Sequence, residues 1–133
     1  MKFIPLDRVG ALMLFAPMAG VPKWDISDGL CSIEQIVGNG QAFIAVDECD
    51  CEGLMLFVVD WAQQAHGREL VIRVAKQLSQ RGDLVETVLP EIERVFGGGC
   101  DVVTVYTRRA GLVAKLEKSG YSEAAKIMRK KIR

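Results

Sequence analysis

Between residues 41 and 76 the chain carries three apolar runs in succession, separated only by short polar breaks. Residues 41–46 read as a strand, 47–53 as a turn, and 54–61 as a second, strongly apolar strand. Ala65-His66-Gly67-Arg68 reads as a hairpin turn, and 69–75 as a third strand. Successive strands with connections this short pair antiparallel, so the centre of the chain is a β-meander.

Helical periods flank it. Phe3, Ile4 and Leu6 suit a short first strand, and Asp7 is placed to cap a helix through Val9, Leu12, Met13 and Phe15 that ends at Pro17. A loop surrounds Val21-Pro22-Lys23-Trp24. Ser27 or Asp28 then caps a second short helix carrying Leu30, Ile33, Ile36 and Val37, stopped by Gly38-Asn39-Gly40. After the meander, Leu84, Val85, Val88, Leu89, Ile92, Val95 and Phe96 recur at helical spacing. Pro90 lies inside that pattern, so the helix is either kinked there or starts late. Gly97-Gly98-Gly99 closes it, 102–106 is the next strand, and 111–118 is a helix on Leu112, Val113 and Leu116. Residues 121–132 return as a last strand, although Ala124, Ala125, Ile127 and Met128 also suit a helix.

The chain has 133 residues, half of them apolar and 26% charged, the balance of one globular domain. Its organisation is a helical part over 1–40, the meander over 41–76 and a helix-strand-helix-strand half over 77–133. No apolar run approaches the roughly 18–20 residues that cross a bilayer. Pro5 followed by Asp7-Arg8 interrupts any secretory apolar core, so the expected location is cytoplasmic. Four cysteines then read as free thiols in a reducing compartment. Cys49 and Cys51 form a C-x-C, but His66 is the only histidine, and no metal site is expected.

The balanced charge hides an asymmetry. Residues 1–107 hold 8 basic and 15 acidic groups, whereas 108–133 hold 9 basic and 2 acidic. Such a basic end can dock on a phosphate backbone or an acidic protein, and it can equally be the solvated edge of the last strand.

The order β-α-α-β-β-β-α-β-α-β, at this length, resembles the GCN5-related N-acetyltransferase (GNAT) fold. The likeness is most specific at Leu116-Glu117-Lys118-Ser119-Gly120-Tyr121, which is similar to the family's Tyr-Glu-Lys-x-Gly-Phe segment. It implies an α+β, three-layer architecture: a mixed, mostly antiparallel twisted sheet flanked by about four helices. In such a fold strand four splays from strand five, acyl-CoA pantetheine lies in the gap, and the pyrophosphate rests on N–H groups at the start of the next helix.

The family's cofactor loop, Gln/Arg-x-x-Gly-x-Gly/Ala, falls on Ser79-Gln80-Arg81-Gly82-Asp83-Leu84 when Val74 is the strand end. Only Gly82 fits. Leu84 brings a branched side chain where close backbone approach is wanted, and Asp83 sets a negative charge beside the phosphates, which Arg81 offsets only as a point contact. If acetyl-CoA binds, the resemblance assigns it Val74, Ala75, Gln80, Arg81, Gly82, Asp83 and Leu84. Arg109 takes the place of the family's Asn, and Leu116 that of the Tyr that protonates the thiolate, which leucine cannot do. Tyr106 is the nearest substitute acid, and Glu69 and Asp60 are acidic residues near where some members hold a base. His66 has suitable chemistry at the wrong end of the sheet. Ser79 and the cysteines have no neighbour that would activate a nucleophile.

Thr107-Arg108-Arg109-Ala110-Gly111-Leu112, with Gly120-Tyr121 and a basic end, also resembles small GNAT-like proteins of tailed-bacteriophage structural gene modules. Those proteins carry an Arg-Arg-Gly-Trp type segment, whose aromatic is absent here, Leu112 lying near its place. The expectation is a GNAT-like scaffold with an eroded acyl-CoA site and no cofactor, acting in a phage virion or its assembly. Its contacts would be other virion proteins, further copies of itself or packaged DNA, through Arg108, Arg109, Arg129, Lys130 and Lys131. The alternative is an acetyl-CoA-dependent N-acetyltransferase acting on a small amine or a protein amine.

Overall fold

The computed structural model describes residues 1–19 and 31–133. The meander forms as three strands: β2 (Gln41–Val46), β3 (Gly53–Gln64) and β4 (Gly67–Gln77). The latter two run several residues beyond 54–61 and 69–75, because polar Gln63 and Gln64 pair with Arg68 and Gly67 right up to the turn. β1 (Lys2–Pro5) adds antiparallel to β2, and β5 (Val102–Val105) adds parallel to β4, giving the sheet order β1-β2-β3-β4-β5. A parallel neighbour requires a crossover, and α3 (Leu84–Phe96) supplies it.

Three layers result. Phe43, Ala45, Phe57, Val59, Leu70 and Ile72 face α3 and α4 (Ala110–Lys118). Ala42, Leu56 and Val58 face α1 (Arg8–Phe15) and α2 (Ile33–Asn39), where Ala11, Phe15, Ile33 and Val37 are buried. Along β4 the alternation breaks: Leu70 and Ile72 face one layer, whereas Val74, of the same parity, is buried in the other. The register explains this. Val59 pairs with Ile72 and Val58 with Val74, so Arg73 is an extra, bulged residue, and one inserted residue flips every later side chain to the opposite face. Four phenylalanine rings, Phe3, Phe43, Phe57 and Phe96, meet at centroid distances of 4.6–5.8 Å, tying β1, β2, β3 and α3 together. Trp61 Nε1 donates to the Phe96 carbonyl at 2.9 Å and fixes the end of α3 on β3.

Asp7 caps α1 as expected, accepting from the Gly10 N–H at 2.7 Å. The cap of α2 is Ser32, whose Oγ accepts from the Gln35 N–H at 3.1 Å. Ser27 and Asp28, along with Leu30 and the 21–24 loop, lie outside the described residues. α3 runs unbroken through the exposed Pro90, starting at Leu84.

The last strand expected over 121–132 is absent, and no helix replaces it: these residues carry no regular structure and all but Tyr121 are exposed. Lys126 and Lys130 would stand on one face of such a strand, Arg129 and Lys131 on the other. The like charges therefore have no apolar face to offset their crowding against an edge. Cys49, Cys51 and Cys100 form no disulfide, and among the described residues no helix is long and apolar enough to cross a membrane.

Candidate functional site

The ladder between β4 and β5 closes at Ile72↔Val105, with a last long contact of 3.5 Å from the Tyr106 N–H to the Ile72 carbonyl. β4 continues to Gln77 while the chain after β5 turns into α4. A gap therefore opens at the carboxyl ends of two parallel strands, where open α/β sheets place their ligands. The bulged Arg73 sits at its mouth. Its Nη2 lies 3.2 Å from Asp60 Oδ2, and its guanidinium stands 5.6 Å from the centroid of the Tyr106 ring. Asp60, Arg73 and Tyr106 thus form one cluster. The half-exposed ion pair adds little stability, so its consequence is positional.

One wall of the gap is the 78–83 loop, held against the β2–β3 turn. Ser79, 3% exposed, donates from Oγ to Glu52 Oε1 at 2.7 Å and accepts from the Arg81 N–H at 3.0 Å. Arg81 Nη1 reaches Asp50 at 2.6 Å and Glu52 at 2.7 Å, while Nη2 bonds Asp47. The Cys49 N–H, and then Arg81, hold the Asp47 carboxyl below the usual carboxylate range, and Asp47 and Asp50 push the Arg81 guanidinium further up. Gly82 follows at φ +56°, a left-handed turn that favours glycine, and leads into the helix. Asp83 then caps α3, its Oδ1 accepting from the N–H groups of Val85 at 3.0 Å and Glu86 at 3.4 Å.

The expected cofactor residues meet this wall unequally. Ala75, Gln80, Arg81 and Gly82 are exposed along it, and Asp83 is half-buried. Val74 is buried among the α1 and α2 side chains. Leu84 also departs from expectation: its side chain is 5% exposed and packs in the α3 core, so it does not project into the gap. Leu116 is buried in the same core, 7% exposed, leaving no hydroxyl at its position.

Glu69 is not placed for a base at the gap. It pairs with Val102 on the first described rung of the ladder and accepts from Thr104 Oγ1, three residues and about 10 Å along the strand from the opening. His66 is exposed in the hairpin turn at that closed end. Arg108 and Arg109 are exposed on the opposite wall, where Arg109 is the N-cap residue of α4 without a side-chain capping bond. Arg129, Lys130 and Lys131 lie on the exposed tail and are not part of the gap. A separate cleft of about 380 Å³, lined by Pro5, Asp7, Arg8, Gly38 and Gln41 among others, opens beside β1 and β2.

Sequence reasoning missed Arg73 and the carboxylates that hold Arg81. A signal existed for the first: a lone cation inside the apolar run Leu70-Val71-Ile72-Arg73-Val74.

Neither a family model nor a curated protein matches the chain. Solved structures do. A protein from Clostridium difficile 630 described as a possible acetyltransferase superposes with a TM-score of 0.65 at 9% identity, over 98% of this chain and 95% of that one. The fold is GNAT-like. A protein from Agrobacterium tumefaciens str. C58, also described provisionally as an acetyltransferase, gives 0.60 at 14% identity over 98% and 99% of the two chains. An integron cassette protein from the mobile metagenome of V. cholerae gives 0.59 at 14%, over 98% and 91%. At these identities the GNAT likeness is one of architecture. These neighbours lend no support to the phage-virion resemblance.

Proposed function

We propose that this GNAT-like domain acts through its surface and does not transfer acetyl groups. The observation that carries the reading is the Asp83 carboxylate on the first N–H groups of α3. A pyrophosphate needs those donors and the positive end of the helix dipole, and here the chain's own anion holds both. Arg81, the loop's only cation, is engaged by three carboxylates, so it is not poised for phosphate. The contacts would be made by the Arg108–Arg109 shoulder and the tail with Arg129, Lys130 and Lys131, on surfaces of opposite charge. A phage-particle setting rests only on the sequence likeness at 107–112.

One observation favours the second reading, acetyl transfer to an amine. The splay after Ile72 and the bulge at Arg73 are kept, with Tyr106 beside them as a hydroxyl that could protonate a leaving thiolate.

Calorimetric titration with acetyl-CoA and with CoA separates the two. The expected result is no heat at millimolar ligand. Micromolar binding that is lost in a folded Gly82→Trp variant would overturn the proposal and restore the enzyme reading.

A further inference from the structure

The cleft beside β1 and β2 is walled by the end of β1, the first turn of α1 and the last turn of α2. Its volume of about 380 Å³ falls within the range of roughly 300–1,000 Å³ that small-molecule sites occupy. The sheet order sets it on the β1–β2 side, across β3 from the gap between β4 and β5, and none of the residues around that gap lines it.

Two residues on its lining work against the helices that carry them. Arg8 occupies the first turn of α1, where a cation opposes the helix dipole. Among the described residues its side chain makes no hydrogen bond or ion pair, and the neighbouring Asp7 carboxylate accepts from the Gly10 N–H instead. Gly38 lies inside α2, where glycine is less favourable than alanine. Packing does not demand it. A Cβ on Gly38 would meet nothing within 4 Å, whereas one on Gly40 would press on Val58 and on the Val59 carbonyl. The core therefore requires Gly40 and not Gly38. A glycine that packing does not need, on the wall of a cleft, leaves room for a ligand to approach the backbone closely.

The lining also sets the chemistry of that ligand. Arg8 is its one cation, and a free guanidinium presents paired N–H donors that match the two oxygens of a carboxylate. Gln41 adds an exposed carboxamide that likewise has no partner among the described residues. Leu6, Ala11 and Val37 supply apolar wall. We infer that this cleft binds a small organic acid, its carboxylate on Arg8 and Gln41, its apolar body against Leu6, Ala11 and Val37, and one edge over the Gly38 backbone. Asp7 stands on the same lining as the single cation, which favours a ligand with one negative charge over a phosphate with two. The site is independent of whether CoA binds.

Hydrocinnamate, beside the alcohol and the amine of the same skeleton, tests it by titration of the isotope-labelled full chain, read from amide shifts in nuclear magnetic resonance. The acid should shift the Gly38, Gly40 and Gln41 amides, and the alcohol and the amine should bind about tenfold more weakly or less. Arg8→Ala should weaken the acid by about ten- to a hundredfold and leave the alcohol unchanged. Arg8 is exposed and its cation opposes the α1 dipole, so that variant should keep its thermal midpoint. Gly38→Leu should fill the cleft and abolish binding without lowering the midpoint, since its Cβ meets nothing and the helix loses a glycine. The inference is overturned by no amide shift at millimolar acid, by equal binding of acid and alcohol, or by binding that persists unchanged in either folded variant. Shifts confined to residues 78–84 would overturn it as well, by moving the acid to the gap.

Discussion

Replacing Asp83 by Ala removes a carboxylate that meets two N–H groups at unequal range. The contact to Val85 at 3.0 Å is a full hydrogen bond, whereas that to Glu86 at 3.4 Å lies beyond the usual N–H···O distance. The cap therefore amounts to one good bond plus a charge at a helix N-terminus. Losing an N-cap acceptor costs about 1 kcal/mol, and losing the charge costs about 0.5 kcal/mol more. Asp83→Ala should destabilise the fold by about 1.5 kcal/mol. Asp83→Asn keeps an oxygen acceptor and should cost only about 0.5 kcal/mol. In urea unfolding followed by far-ultraviolet circular dichroism, with a slope of about 1.5 kcal/mol/M, the midpoint should fall by about 1 M for Ala and by about a third of that for Asn. If Asp83→Ala unfolds at the wild-type midpoint, the side chain is not seated on α3. The helix start would then be free for an anion, and the argument against acyl-CoA would fail with it.

Three further outcomes follow from the same geometry. Pro90 is exposed in the interior of α3 and cannot donate to the helix ladder, so Pro90→Ala should stabilise by about 1–3 kcal/mol, read as a higher thermal midpoint. A Cβ on Gly40 would stand 2.5 Å from Val58 Cγ1 and 2.9 Å from the Val59 carbonyl, so Gly40→Ala should cost about 1–3 kcal/mol in denaturant unfolding. Asp47 is held below its ordinary value of 3.8, first by the Cys49 N–H and then by Arg81. The native state thus favours the charged carboxylate, and the contribution is present above that value and is lost as pH falls through the lowered one. Carboxyl titration by nuclear magnetic resonance should place Asp47 low and move it upward in Arg81→Ala. An unmoved titration would remove the guanidinium from the cause.

The meander was legible because strand identity there follows from local composition: 41–46 is β2 without adjustment, and the hairpin at His66 lies where its polar residues stand. Asp7 was legible for a similar reason, since a cap acts within three residues. The role of Asp83 was not. As a letter in the chain it reads as a charge opposing phosphate, and only the backbone geometry reveals that it already satisfies the donors a phosphate would use. Arg73 was marked as a lone cation in an apolar run, but its bulge was hidden in another way. A bulge is a property of two strands in register, so its signature, Val74 on the wrong face for its parity, exists only once β3 and β4 are paired. Leu84 was misjudged because residue type was read without direction. The tail failed because an edge strand is defined by what lies beside it, and the local pattern of alanines, aliphatics and cations decides nothing about that neighbour.

The phenylalanine cluster has a consequence for how the chain is made. Phe3 from the first strand touches Phe96 at the end of α3, a ring distance of 5.2 Å across most of the sequence. A nascent chain emerging amino-terminus first can zip β1 onto β2 early, but the rings of Phe3 and Phe43 stay without their last neighbour until α3 has cleared the ribosome. Premature termination anywhere before Phe96 therefore yields a product with these aromatic faces open to solvent, a species that holdase chaperones should bind and the finished chain should escape.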